Sequence, residues 1–184
     1  MNIAVLSSSG KVFVRPDTTW ERDNEDFYVP EFIDRISFTP VLFARVSKPG
    51  RSVSSRFADR YFDGTGFGVL LYPEDMIDGS AEGFACASCI DHTSFLPFPV
   101  SGRKAEYGNA VIARDGVPLV TIPLPCEDLI RNAVESVTKS CYIRTGDIIA
   151  IELQPRQALC SRQDGRVRIT TDSPLMACDF NIIF

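Results

Sequence analysis

Short runs of alternating apolar and polar residues, broken by turn residues, recur along the chain and predict a structure built mainly from strands. Ile3 to Leu6 and Val12 to Val14 read as two strands joined by the loop Ser7-Ser8-Ser9-Gly10. Arg15-Pro16-Asp17 ends the second, because proline lacks the donor a central strand needs. Ile36 to Val46 alternates as one long strand, and Pro40 inside it predicts an edge position or a bulge. Val69-Leu70-Leu71-Tyr72 follows a glycine-rich stretch and is apolar throughout, which predicts a central strand. Two alternating runs flank Arg114-Asp115-Gly116, a tight hairpin signal, and Asp164-Gly165 predicts a second hairpin turn before Val167 to Thr170. Met176 to Phe184 reads as the last strand.

Helical periodicity is rarer. From about Glu127 to Thr138, the residues Leu129, Ile130, Ala133, Val134 and Val137 form one stripe, which predicts a helix packed on a sheet. Ser54 or Ser55 can cap a short helix running to about Tyr61, and Pro73-Glu74-Asp75-Met76 starts a single helical turn. Asp23-Asn24-Glu25-Asp26 reads as a solvated acidic turn. The pattern predicts one domain over residues 1–184, α+β but mostly β, with two or three short helices.

Composition narrows the function classes. The 184 residues carry a formal net charge of -5, which argues against a general nucleic-acid surface or an anionic membrane surface. No apolar run approaches the ~18 residues of a membrane span. The start, Met1-Asn2-Ile3-Ala4-Val5-Leu6, lacks the basic residues and long apolar run of a signal peptide, so the expected location is the cytoplasm. Six cysteines are then expected to stay reduced and to serve mostly as small core residues.

Several segments resemble one family. Val12-Phe13-Val14-Arg15-Pro16-Asp17-Thr18 is similar to the F-x-K-P-D-T segment of the fumarylacetoacetate hydrolase family, and Phe27-Tyr28-Val29-Pro30 resembles the Y-x-P that follows it. Phe57-Ala58-Asp59-Arg60-Tyr61-Phe62-Asp63 with Gly66-Phe67-Gly68 resembles the helix and turn of small bacterial members. The hairpin at Asp115-Gly116 and the run Arg144-Thr145-Gly146-Asp147-Ile148-Ile149 match the later half. The resemblance spans nearly the whole chain. It implies a mixed β-sandwich roll, a homodimer, and a site in which Mg²⁺, Mn²⁺ or Ca²⁺ chelates an oxo acid and stabilises its enolate.

Hard divalent cations want several carboxylate oxygens. The family supplies two from an E-x-E on the long strand and one Asp after the glycine turn. Here those positions fall on Thr39, Val41 and Leu70, so all three carboxylates are absent. The family lysine of A-K-x-F-D falls on Ser88, leaving only Asp91. The lid N-Y-x-x-H-x-x-E has no counterpart, and the family's late G-T-P loop reads Glu152-Leu153-Gln154-Pro155 here. The expectation is a non-catalytic relative without a cofactor: a binding protein, or a subunit paired with itself or with an active relative. The alternative is a hydrolase, isomerase or decarboxylase of acyl-pyruvates or oxo-diacids with a rebuilt site.

Three other constellations carry chemistry. Arg15 can hold a substrate carboxylate bidentately or form a rim ion pair, and Asp91 is a second candidate for ligand contact. Cys86 and Cys89 form a C-x-x-C that, with His92, offers three zinc ligands; the segment reads as a strand, and structural zinc wants a fourth. Ser88, Asp91 and His92 match a hydrolytic triad only in composition, because Ser88 and His92 on a strand lie too far apart to touch.

Overall fold

The computed structural model describes residues 1–97, 108–123, 128–172 and 178–184. In chain order the strands are β1 (Asn2–Leu6), β2 (Val12–Pro16), β3 (Trp20–Glu21), β4 (Phe27–Tyr28), β5 (Arg35–Val46), β6 (Phe62–Pro73), β7 (Ser94–Phe95), β8 (Asn109–Arg114), β9 (Val117–Pro123), β10 (Ile148–Glu152), β11 (Gln157–Ser161), β12 (Gly165–Thr171) and β13 (Cys178–Ile183). Two α-helices, α1 (Ala81–Ala87) and α2 (Asp128–Ser140), and three 3₁₀ turns (Asp17–Thr19, Ser55–Arg60 and Glu74–Met76) complete the described residues. None of the helices is long and apolar enough to cross a membrane.

The strands form two mixed sheets. The larger runs β2-β1-β10-β5-β6-β7-β3, with β11 also on β5; the smaller runs β4-β13-β12-β8-β9. β1 pairs with β10, β3 with β7 and β4 with β13 in parallel; the other pairs are antiparallel. Alternation along β5 sends Ile36 and Phe38 towards the smaller sheet, where they pack with Ile112, Ile169 and Phe180. Further along the same face, Leu42, Ala44 and Val46 meet Ile130, Ala133, Val134 and Val137 of α2. The predicted helical stripe thus covers the sheet as its spacing implies. The opposite face of β5 and β6 gathers Val41, Phe43, Leu70 and Tyr72 with Ile3, Ile148 and Trp20. β5 is therefore buried on both sides, and the fold is the α+β, mostly β sandwich expected.

Several local expectations need correction. Pro40 lies neither on an edge nor at the recorded bulges: β6 flanks β5 along its whole length, while β10 pairs residues 41–45 and β11 residues 35–38. The amide and carbonyl of a strand residue point the same way, and the Pro40 carbonyl accepts from Leu153 N at 2.9 Å. Its missing donor therefore faces the gap between β10 and β11. Asp164-Gly165 makes no hairpin, because β11 and β12 belong to different sheets; the positive φ of 39° falls on Arg162. The hairpin at Asp115 and Gly116 does form, with φ of 51° and 81°. The helix expected up to Tyr61 is the 3₁₀ turn Ser55–Arg60. Of the five cysteines described, only Cys178 is buried; all five are free thiols, and Cys86 and Cys89 are exposed. Cys126, Glu127 and Met176 lie outside the described residues.

Candidate functional site

The structure brings together Thr39, Val41 and Leu70, the positions on which the resemblance places the family's ligands. Thr39 stands directly opposite Leu70 and Val41 opposite Gly68 in the β5–β6 ladder. Opposed residues share a face, so Thr39, Val41 and Leu70 form one patch. All three are 0% exposed. The Thr39 hydroxyl donates to the Gln154 carbonyl at 2.7 Å. Val41 and Leu70 pack with Ile3, Phe43, Ile148 and Leu96. A divalent cation needs several hard oxygens and leaves its hydration shell reluctantly. One engaged hydroxyl beside isopropyl and isobutyl groups does not fit it. Among the described residues, no group of three or more His, Cys, Asp or Glu is placed to hold a metal.

Beside this sealed patch lies an open cleft of about 500 Å³, lined by Ser8, Lys11, Phe13, Tyr72, Glu152 and Arg156 among others. Glu152 ends β10 opposite Val41, so its side chain leaves the sheet on the same face as the sealed positions. The Tyr72 hydroxyl donates to Glu152 Oε1 at 3.0 Å, and Ser8 N donates to Glu152 Oε2 at 3.1 Å. The loop Ser7-Ser8-Ser9-Gly10 is thereby tied to the cleft. Burial pushes the Tyr72 phenol far above its usual range, and Glu152 adds to the rise, so the hydroxyl keeps its proton. Arg156 pairs with Glu74, whose carboxylate also accepts from the Ser37 hydroxyl. Tyr72 and Glu152 are functional candidates that the sequence reading missed: they are 80 positions apart, and only strand register joins them.

Arg15 sits inside the wall of this region and not at a rim. It is 0% exposed and lies 4.9 Å over the Tyr72 ring. Its Nε donates to the Ser88 carbonyl at 3.1 Å, and its Nη2 to the Leu71 carbonyl and to Thr93 Oγ1 at 3.0 and 2.7 Å. Nη1 has no partner. Desolvation lowers the pKa of the guanidinium, and Tyr72, Cys89 and Glu152 oppose that shift; an arginine nevertheless stays charged. Arg15 therefore ties β2 to β6 and to the end of α1, a structural use the sequence did not reveal.

The C-x-x-C segment is not a strand. Ser80 caps α1 by accepting from Gly83 N at 2.9 Å, Cys86 lies in the last turn, and Cys89 follows it. The Ser88 hydroxyl donates to the Phe84 carbonyl at 2.8 Å. His92, at φ of 56°, turns its Nδ1 to Glu21 Oε2 at 3.1 Å. The Ser88 hydroxyl and the His92 ring thus turn to other partners than a triad requires, and among the described residues Cys86, Cys89 and His92 form no metal-holding group. Asp91 is exposed and lines another cavity, of about 750 Å³, with Asn24, Glu25, Asp26 and Cys89. The structure does not bring it to Arg15. Part of the expected acidic turn is engaged, since Asp26 Oδ1 accepts from Asn181 N at 2.9 Å.

No family model matches the sequence, and no curated protein matches it. The architecture does match solved structures. A protein from Yersinia pestis CO92 assigned to the fumarylacetoacetate hydrolase family superposes with a TM-score of 0.79 at 16% identity, over 99% of this chain and 92% of that one. A 2-hydroxyhepta-2,4-diene-1,7-dioate isomerase from Mycobacterium marinum gives 0.83 at 15% identity, over 99% and 74%. A fumarylpyruvate hydrolase from Pseudomonas aeruginosa, in complex with Mn²⁺ and pyruvate, gives 0.81 at 12% identity, over 100% and 90%. The chain has the fold of the fumarylacetoacetate hydrolase family.

Proposed function

We propose that this chain is a non-catalytic protein of the fumarylacetoacetate hydrolase fold that binds a small organic acid in the cleft beside Tyr72 and carries no divalent metal. It acts as a homodimer or as the partner subunit of an active relative. The observation that supports this is the complete burial of Thr39, Val41 and Leu70 in one patch, with the only hydroxyl bonded to Gln154. An uncompensated cation there would cost several kcal/mol. Lys11 and Arg156 give the cleft cationic groups for a carboxylate, and Phe13 gives it an apolar wall. The test is a titration with Mn²⁺ followed by electron paramagnetic resonance, paired with assays of acyl-pyruvates and oxo-diacids with and without EDTA. No tight Mn²⁺ site and no turnover are expected. A tight site, or turnover abolished by EDTA, overturns the proposal. Light scattering and co-purification test the assembly.

A second reading is an enzyme, a hydrolase, isomerase or decarboxylase of an oxo acid, with a rebuilt and metal-independent site. Its support is twofold. The structural neighbours carry hydrolase and isomerase names, which taken alone favours an enzyme over a binding protein. The Tyr72–Glu152 bond also places a proton donor and a carboxylate together on the cleft, the pairing that general acid–base chemistry requires. In this reading Glu152 takes a proton from the bound acid, Tyr72 steadies the carboxylate, and Lys11 with Arg156 orients the substrate. Turnover that persists in EDTA and disappears in Glu152→Gln selects it.

A further inference from the structure

Residues 48–60 hold four cations, Lys48, Arg51, Arg56 and Arg60, against one carboxylate, Asp59, in a chain whose net charge is -5. Elsewhere several arginines meet carboxylates, Arg35 with Asp75, Arg162 with Asp34 and Arg166 with Asp179. The carboxylates that border the segment are also engaged, Asp59 with Arg131 and Asp63 with Arg45. No described carboxylate pairs with Lys48, Arg51 or Arg60, and these three surround a concavity of about 370 Å³. Lys48 Nζ lies 5.5 Å from the Tyr61 ring centre and Arg60 Cζ lies 5.2 Å from that of Phe57. The lining carries no acid.

The cradle is held in place from below. Gly50 and Ile143 exchange two backbone bonds of 3.0 Å, Ser52 N donates to the Thr138 carbonyl at 2.8 Å, and Val53 N donates to Thr138 Oγ1 at 2.9 Å. Ser52 adopts φ of 51° to make this turn. A side chain at position 50 would meet the Tyr61 ring at 2.6 Å, so only glycine lets that ring close one wall. Like charges gathered on a fixed loop repel one another, and an anion bound among them removes that repulsion. Paired guanidinium and ammonium groups match the several acceptor oxygens of a phosphate better than the two of a carboxylate. The volume is at the lower end of small-ligand sites.

We propose that the concavity formed by Lys48, Arg51, Arg60 and the rings of Phe57 and Tyr61 is a binding site for a small phosphorylated ligand. It shares no lining residue with the cleft beside Tyr72 and does not depend on the function assigned there. The test is calorimetric titration of the full chain with inorganic pyrophosphate, with citrate as a carboxylate of similar charge. Saturable 1:1 binding is expected, weaker at higher salt, and weakened at least about tenfold in Lys48→Ala/Arg51→Ala. Arg162→Ala, which removes an ion pair elsewhere, should leave it unchanged. Absence of saturation, equal affinity for citrate, or a double variant that binds as well as the parent overturns the proposal. A short single-stranded oligonucleotide that binds more tightly than pyrophosphate also overturns it, in favour of a nucleic-acid surface. If the double variant does not fold, amide shifts of Ser52 and Ser54 in the unaltered protein decide: pyrophosphate must move them and citrate must not.

Discussion

The sealed patch of β5 and β6 and the cleft beside it share a face of the same sheet, yet they are built oppositely. At Thr39, Val41 and Leu70 every side chain is fully buried and the one polar group is satisfied internally. Next to it, Lys11, Glu152 and Arg156 line an opening, and the buried Tyr72 reaches it through its bond to Glu152. The contrast teaches that this sheet can seal one stretch of its face without closing the pocket beside it. Close packing tolerates no bare charge in the first region, whereas the second faces water and accepts charge readily. Substitutions should therefore have very different costs on the two sides.

The largest effect is expected from returning a carboxylate to the sealed side. Leu70→Asp removes a buried isobutyl group and leaves an unpaired polar group, so it should destabilise the chain by at least about 4 kcal/mol in urea denaturation. Lys11→Ala, on the cleft, should change stability by less than about 0.5 kcal/mol. A well-folded Leu70→Asp variant would mean that the patch is not sealed. Next comes Tyr72→Phe, which leaves Glu152 without its 3.0 Å donor and should cost about 1 kcal/mol. An unchanged urea midpoint would remove the Tyr72–Glu152 bond from the account.

Thiol reactivity draws the same contrast without mutation. Cys86 and Cys89 are exposed, while burial pushes Cys160 up to about 11 and Cys178 higher still. Only a thiolate reacts, so at pH 8 a disulfide reagent should modify Cys86 and Cys89 first and spare Cys160 and Cys178 until the chain unfolds. Peptide mapping after timed labelling checks the order.

The sequence foretold the parts of this molecule that local physics controls. Alternation in Ile36 to Val46, the apolar run ending at Tyr72, the stripe of α2 and the φ > 0 turn at Asp115-Gly116 each carry their own signal. The assignment of Thr39, Val41 and Leu70 to the family's ligand positions rests on the resemblance alone, whereas their juxtaposition, with Thr39 opposite Leu70, is a matter of strand register. What stayed hidden depends on long-range register. Nothing near Glu152 announces that it will stand opposite Val41, and nothing near Pro40 announces the gap between β10 and β11. α1 carries a local signal of its own, since Ser80, followed by Ala81 and Glu82, is an ordinary N-cap. Cys86, Ser88 and Cys89 lie in or just after this seven-residue helix, which points its side chains differently from the strand expected there.

The smallest effect concerns an open, charged contact on α2. Ser55 N donates to Glu135 Oε2 at 2.8 Å, and Lys139 lies 3.3 Å from Glu135 Oε1. The Ser55 amide, with help from Lys139, holds the Glu135 carboxyl down at about 2, against about 4.3 in an unfolded chain. The folded pKa is the lower one, so the unfolded chain binds the proton first as pH falls. The stabilisation is complete above about 4.3 and is lost as pH falls towards 2. Glu135→Gln cannot titrate there. The difference in urea midpoint between the parent and this variant should therefore be largest at pH 5 and shrink steadily at pH 4 and pH 3. A difference that stays constant over that interval would show that the carboxylate contributes nothing to the docking of the 3₁₀ turn Ser55–Arg60 on α2.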